Sequence, residues 1–558
     1  MAAQHSCQLL HPALGALLTG VLDPSGTVEG YRGIPFASVE KRWTRSKPVV
    51  SLGPEFDARE FGPKCPQPDA LNNTLDFGPI IPFPDCGEDE LSCLNLNVYR
   101  PAQANANISL PVLVWIHGGS LSFGANSDPI WDPAEFVRWA KQNGTPVVVV
   151  TINYRLGPFG FLSPIDPADE TVQQGNFGLH DQVLALEWVH AHIAGFGGDP
   201  GNVTLAGESA GGFLEYGAMA RTGVVGFASD VRLLILGGSA HAQTIAQGRE
   251  GAPKLFKRVI MQSGNLAVMG FWDRERMDRI WRDAVRAAGV GNGNGDGVDC
   301  LEAMRVLPAD ELLRLPPLDI DGYGVYIDDH FVSPPYISPS GDFLAHSPPV
   351  ESVLHGDNAD EGNIFREAAR RPGALDELKI AAQSILGKEG CETLLQLYQL
   401  DRQAELTQEE RAERLYRIPE DARFYLPSAE LQRVWPKSAF YHLTAKSPFA
   451  SRCEGDSFHT LDLLYLFGNF DKWLHAEGKH EHLRLGVDIR KTWLRFIYGQ
   501  SPWEGAYEAR SATFGVEGVG YGGYDESRGW AEGRTERIRG LQRLGAGRVV
   551  ELATRVFP

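Results

Sequence analysis

Six short runs rich in β-branched and other apolar residues are spread along the chain: PVLVWIHG (111–118), PVVVVTINY (146–154), NVTLAGES (202–209), KRVIMQSG (257–264), ESVLHGDN (351–358) and SAFYHL (438–443). Each is bounded by glycine, proline or polar residues, and strands that read as near-continuous apolar runs are buried on both faces, the condition of a parallel sheet. Between them lie stretches with apolar residues every three or four positions, such as GLHDQVLALEWVHAHI (178–193) and IRKTWLRFIYG (489–499), which predict helices. The alternation predicts an α/β fold with a large, mostly parallel central sheet flanked by helices. No internal repeat divides the chain, and residues 1–558 read as one domain, since large α/β enzymes can keep one continuous sheet.

Composition narrows the classes. A formal charge of −19 argues against a nucleic-acid partner, which needs clustered lysine and arginine to neutralise phosphates. No apolar run reaches the roughly 18 to 20 residues of a membrane span, so no integral membrane segment is expected. The N-terminal LLHPALGALLTGVL (9–22) has the apolar character of a secretory leader, but it lacks a basic flank and is broken by Pro12, so it makes no clear signal peptide. Seven cysteines (7, 65, 86, 93, 300, 391 and 453) are too sparse for a disulfide scaffold, and sequons at Asn72, Asn107, Asn143 and Asn202 would matter only in a secreted chain. The pattern therefore leaves the protein soluble with its compartment, cytoplasmic or secreted, unresolved, and it fixes no oligomeric state. Residues 62–92 form a proline-rich, lid-like loop, and residues 504–533, rich in Gly, Tyr and Glu, read as an irregular connection to a C-terminal helix. GNGNGDGVDCLEA (291–303) imitates a calcium loop, but Ala303 stands where a bidentate glutamate is required, so a turn is expected. His475, His480 and His482 lack a metal-ligand spacing and read as a solvated surface; no metal is expected.

NVTLAGESAGG (202–212) places Ser209 between glycines directly after an apolar run. A strand that turns sharply into a helix presents such a serine on a strained elbow with small neighbours, where it can act as a nucleophile. A nucleophilic serine needs a base for its proton, an acid to orient the base, and backbone donors for the oxyanion. WIHGGS (115–120), an apolar strand ending in His-Gly-Gly, has the form of an oxyanion loop.

These motifs belong to an ordered series: YRGIPFA (31–37), CLNLNVY (93–99), WIHGGS (115–120), TINYRLGPFGFL (151–162), NFGLHDQ (176–182), GFGGDPGNVTLAGESAGG (195–212) and QSG (262–264). The chain thereby resembles the type-B carboxylesterases, the cholinesterase and fungal-lipase branch of the α/β-hydrolase fold, over most of its first half. The resemblance implies an α/β-hydrolase with loop and helical insertions forming a gorge or lid. It implies a Ser–Glu–His triad in that chain order. GDNADEG (356–362) resembles the segment that ends in the triad acid and nominates Glu361; HTLDLLYLFG (459–468) resembles the histidine segment and nominates His459. Read without the resemblance, Glu361 is a solvated loop carboxylate beside Asp357 and Asp360, and His459 one structural histidine among fifteen.

On this reading His459 takes the Ser209 proton, Glu361 holds the imidazole, and the oxyanion hole comprises Gly118, Gly119, Ser120 and Ala210, with Gly118 supplying the turn. Ser120 departs from the family's usual third glycine. Glu208 matches the family's GESAG and is expected in a shell behind the triad. Cys65 and Cys93 match the family's disulfide positions, although Cys86 offers Cys65 another partner. The loop between Cys65 and Cys93 holds Phe77 and Phe83 but none of the tryptophan by which cholinesterases bind a quaternary ammonium. The expected function is therefore a serine hydrolase for carboxylic esters of uncharged, moderately apolar substrates, working through an acyl-enzyme with no cofactor. The alternatives are a lipase, or an acyltransferase or lactone-forming enzyme using the same triad. A non-catalytic adhesion homologue is disfavoured because all three triad residues are retained. The stretch 222–256, longer than the family's connection there, either lines the gorge or is a surface loop.

Overall fold

The computed structural model describes residues 5–68, 81–103, 108–164, 175–212, 254–265, 267–290, 298–316, 318, 323–327, 350–402, 406–434, 438–522 and 533–557. The strands of the main sheet are β1 (His5–His11), β2 (Ala16–Leu22), β3 (Val28–Pro35), β4 (Glu55–Asp57), β5 (Asn95–Pro101), β6 (Leu110–Ile116), β7 (Val148–Ile152), β8 (Gly198–Glu208), β9 (Arg258–Gln262), β10 (Ser352–Asn358), β11 (Ser438–Leu443), β12 (Ser511–Gly515) and β13 (Gly518–Gly522). They join in one 13-stranded sheet in the order β1-β2-β3-β5-β7-β6-β8-β9-β10-β11-β12-β13, with β4 attached to β2. From β7 through β12 every neighbouring pair is parallel, whereas the pairs outside this block along the path are antiparallel. All six runs singled out in the sequence fall in the parallel block.

Alternation along these strands sorts their side chains onto two buried faces. Val112, Val114, Ile116, Val150, Leu205 and Met261 join one apolar cluster, which includes Leu179, Leu186 and Val189 of helix α1 (Phe177–His192). Leu113, Trp115, Val149, Ala206, Ile260 and Leu354 join the other, beneath Leu485, Ile489 and Trp493 of a helix spanning His480–Ile497. A one-residue slip would exchange the two faces, so register is tightly specified. Each fully buried Val, Leu or Ile contributes roughly 1.5–3 kcal/mol relative to exposure.

At one edge of the sheet an apolar stretch finds its place, and at the other an expectation is corrected. The apolar stretch 9–22 forms the β1–β2 hairpin, its turn closed by a Gly15 N–H to Pro12 carbonyl bond of 3.3 Å; Pro12 costs nothing there because a turn position needs no ladder donor. The segment 504–533 is not wholly irregular: 511–522 make the β12–β13 hairpin, whose low apolar content reflects an edge exposed on one side. Of the calcium-like run 291–303, residues 291–297 lie outside the described residues, and 298–303 belong to the helix Val298–Arg305 rather than to a turn; most of the 222–256 stretch and the centre of the proline-rich loop also lie outside the described residues. Among the described residues no helix is long and apolar enough to cross a membrane.

Candidate active site

Residues nominated from far apart in the sequence meet beyond the carboxyl ends of β6, β8, β10 and β11, where the loops of an open parallel sheet leave a crevice. Ser209 follows β8 directly and residues 210–212 begin a helix. Its φ of +51° is in the left-handed region that a side chain rarely adopts, so the turn is strained as an elbow requires. The Ser209 N–H donates to the Gln262 carbonyl at 2.9 Å, which fixes the turn against the end of β9. Gly211 is obligatory, since a Cβ there would stand 2.2 Å from the Ile116 carbonyl oxygen.

Glu361 and His459 converge although 98 residues apart: the imidazole Nδ1–H donates to Glu361 Oε2 at 2.6 Å. Glu361 lies three residues past β10 and is fully buried, its Oε1 accepting from the Ser263 hydroxyl and the Asn358 N–H, both at 2.6 Å. Both oxygens are thus committed, so the carboxylate cannot rotate away. The His459 N–H donates to Asn363 Oδ1 at 3.0 Å, and Phe424 meets the ring edge-on at 5.2 Å between centroids. Nε2 faces Glu208, 3.3 Å from its Oε1. No hydrogen bond joins Ser209 Oγ to the ring in this state. Catalytic hydrogen bonds are often loose without substrate, and the residue Nε2 does face is the immediate neighbour of Ser209.

Burial opposes charge on His459, but the Glu361 carboxylate, with Glu208 and Asp462 behind it, reverses that and raises its pKa to about 9. Burial pushes Glu208 up to about 8 while the neighbouring imidazolium draws it back down, and the largest support of the imidazolium comes from Glu361. Asp462 is also raised by burial, while its Oδ2 accepts from Gln262 Nε2 at 2.8 Å and the Tyr441 hydroxyl at 2.7 Å.

The loop after β6 closes the other side. Its backbone takes positive φ at Gly119 (+103°), Ser120 (+53°) and Leu121 (+60°). A Cβ on Gly119 would meet the Phe123 carbonyl oxygen at 2.1 Å, and one on Gly118 would lie 2.6 Å from Glu208 Oε2 and 3.1 Å from Ser209 Cβ. The absence of side chains is what lets this loop lie against the elbow. Among the described residues the amides of Gly119, Ser120 and Ala210 donate to no acceptor, so they are open to an anion. His117 anchors the loop: it is stacked between Trp131 and Tyr154, donates from Nδ1 to the Gly118 carbonyl at 2.9 Å, and is kept neutral by burial, its pKa lowered to about 4. Gln67 clasps the backbone of Gly124 with bonds of 2.7 and 3.1 Å, tying the start of the proline-rich loop to the same segment.

Cys65 and Cys93 are brought together as expected, but as buried free thiols rather than a disulfide. Thiol-to-thiol hydrogen bonding and burial raise the Cys93 pKa, and Cys65 Sγ accepts the Leu156 N–H at 3.3 Å, so each sulfur is satisfied in the reduced form. Cys86 instead lies 3.6 Å from the Ser127 hydroxyl. His482 is not surface: it is buried and bonded to the Tyr465 hydroxyl at 2.8 Å.

Residue-type reasoning missed Ser263, Asn363, Asp462, His117 and Phe424. The first was visible only as the middle of a QSG triplet and the third only as the acid in HTLD; nothing in the sequence marked Phe424.

Comparison with known proteins bears on the whole arrangement. A family model described as the carboxylesterase family matches residues 14–217. The chain is 28% identical over 494 residues to a para-nitrobenzyl esterase of Bacillus subtilis (strain 168), covering 85% of this chain and 87% of that protein. It is 27% identical over 507 residues to Lipase 3 of Yarrowia lipolytica, covering 88% and 89%. Among solved structures, a PNB esterase superposes with a TM-score of 0.68 at 24% identity, covering 94% of this chain and 97% of that one, which shows the shared fold.

Proposed function

We propose that the chain, which the carboxylesterase family model matches over residues 14–217, is a carboxylic ester hydrolase that cleaves uncharged, moderately apolar esters through an acyl-enzyme on Ser209. The observation that carries this reading is the 2.6 Å bond from His459 Nδ1 to Glu361, made where Nε2 faces the residue preceding a serine held at positive φ. With Nδ1 committed as a donor, Nε2 is the basic nitrogen and accepts the Ser209 proton once the serine rotamer or ring closes the remaining gap. The hydroxyl oxygen then attacks the ester carbonyl. The open amides of Gly119, Ser120 and Ala210 receive the oxyanion, and the imidazolium returns the proton to the departing alkoxide. Water, activated by the same nitrogen, attacks the acyl-serine and releases the acid.

The loop from Cys65 to Cys93 has no tryptophan to hold a quaternary ammonium, which supports an uncharged ester. The test is a chain-length series of p-nitrophenyl esters, with and without a lipid interface, on the parent and Ser209→Ala. A fluorophosphonate should label Ser209 and Ser209→Ala should be inert; turnover persisting in that variant would refute the assignment.

A further inference from the structure

Helix α2 (Gln408–Glu420) does not end where its hydrogen bonding changes. It runs through a π-helical turn, Asp421–Tyr425, into α3 (Leu426–Val434), and the Leu426 N–H reaches back five residues to the Asp421 carbonyl. The local cause is in the sequence. Pro427 has no N–H for the Arg423 carbonyl, and its ring would clash with that carbonyl in a regular α-helix, so the turn widens by one residue. Turns of this kind are costly and recur at functional sites.

The widened turn and the helix residue just before it carry three side chains to the Glu361–His459 pair. Glu420 Oε1 accepts the N–H of Gly362, the residue after Glu361, at 3.1 Å. The Phe424 ring packs edge-on against the His459 ring. The Tyr425 hydroxyl donates to the carbonyl of Asn358 at 2.6 Å, and it is the Asn358 N–H that binds Glu361 Oε1. The residues between are anchored elsewhere. Asp421 pairs with Arg537 at 2.6 Å and Arg534 at 3.3 Å, and Arg534 caps the Tyr425 ring at 3.9 Å. Arg423 is a buried cation held by the carbonyls of Ala267, Val268 and Phe557, with Phe365 beneath its guanidinium and against Phe424.

We propose that the turn Asp421–Tyr425 is a brace that sets the orientation of the acid and the base together, with Phe424 and Tyr425 as positioning residues and Arg423 as their anchor. The proposal rests on the reading of Ser209, His459 and Glu361 given above. The brace limits how far the imidazole swings, because the Phe424 ring is packed edge-on against it. It also holds the Asn358–Gly362 loop at both ends, so Glu361 keeps its reach to Nδ1.

The test uses the full-length protein with Phe424→Leu, Tyr425→Phe and Phe424→Tyr, each compared with the parent and with Ser209→Ala. Active sites are counted by fluorophosphonate titration, so that kcat and the inactivation rate are read per competent site even if a variant folds poorly. Misplacing a catalytic group by a fraction of an ångström is expected to lower both rates by about 10-fold in Phe424→Leu and about 3-fold or more in Tyr425→Phe, with KM within about 2-fold. The acidic limb of the pH–rate profile should move down in both, and Phe424→Tyr, which keeps the ring, should restore the rate. Thermal stability lowered with per-site rates and pH limb unchanged would reduce the turn to ordinary packing and overturn the proposal. Retained activity in Ser209→Ala would remove the triad itself and the brace with it, whereas an inert Ser209→Ala beside parent-like brace variants would sink the brace alone.

Discussion

Replacing Glu361 by glutamine changes one atom of the acid and nearly nothing of its volume. Oε1 accepts from both Ser263 and the Asn358 N–H, so the amide oxygen must stay on that side; turning the NH2 group toward Asn358 would set donor against donor. The NH2 group then faces His459 Nδ1 and can only donate. The imidazole is forced into the tautomer with its proton on Nε2, where it cannot accept from Ser209. The variant also loses the charge that supports the imidazolium. The rise of the His459 pKa from 6.5 to about 9 is equivalent to ~3.4 kcal/mol in favour of the protonated ring, or about 300-fold in rate if it is all realised in the transition state. Adding the tautomer error brings the expected loss in kcat/KM to about 10⁴-fold. The pH profile gives an independent check. A base must be neutral in the free enzyme, so activity rises with pH along a limb displaced upward from 6.5 toward 9; without the Glu361 charge that limb falls back toward or below 6.5. The assay is p-nitrophenyl ester hydrolysis from pH 5 to 10 with sites counted by titration. A loss under about tenfold, or a limb that does not move, would refute the role given to Glu361.

Gly118→Ala inserts a methyl 2.6 Å from Glu208 Oε2, and the loop must shift away from the elbow; kcat/KM should fall about 10²-fold or more while the far-ultraviolet circular dichroism is retained. Ser120→Gly relieves a φ of +53° and should raise stability in urea by about 1 kcal/mol; a loss of stability would mean that the side chain holds the loop. Asp181→Ala strands the buried guanidinium of Arg155, now paired at 2.7 Å, and should cost about 3–5 kcal/mol of unfolding free energy in a denaturant titration. Mild oxidation should join Cys65 to Cys93, detectable as a linked peptide by mass spectrometry, and should raise stability by up to about 3.5 kcal/mol; independent labelling of both thiols after oxidation would contradict their adjacency.

The parallel block was legible because its strands are buried on both faces. An apolar run bounded by turn residues has few other fates, and SAFYHL became the strand Ser438–Leu443 to the residue. The edges were not legible for the complementary reason. The strands in 5–22 and 511–522 pair as local hairpins at the ends of the sheet, with one side exposed, so their residues make no bounded apolar run of the kind that marks a strand buried on both faces. In the site, residue chemistry alone pointed to Ser209 and to the loop after Trp115, since each needs glycines at fixed offsets. Glu361 and His459 became nameable only through ordered resemblance, because a carboxylate and an imidazole carry no local signature of partnership. Chain order also left undecided which nitrogen meets which oxygen, that burial pushes the Glu208 carboxyl upward, and that a widened helical turn presses Phe424 onto His459. Those are consequences of burial and of three-dimensional distance. A sequence specifies what each side chain can donate, accept or exclude, and only the packed structure determines which of these capacities are consumed and which stay free to act on a substrate.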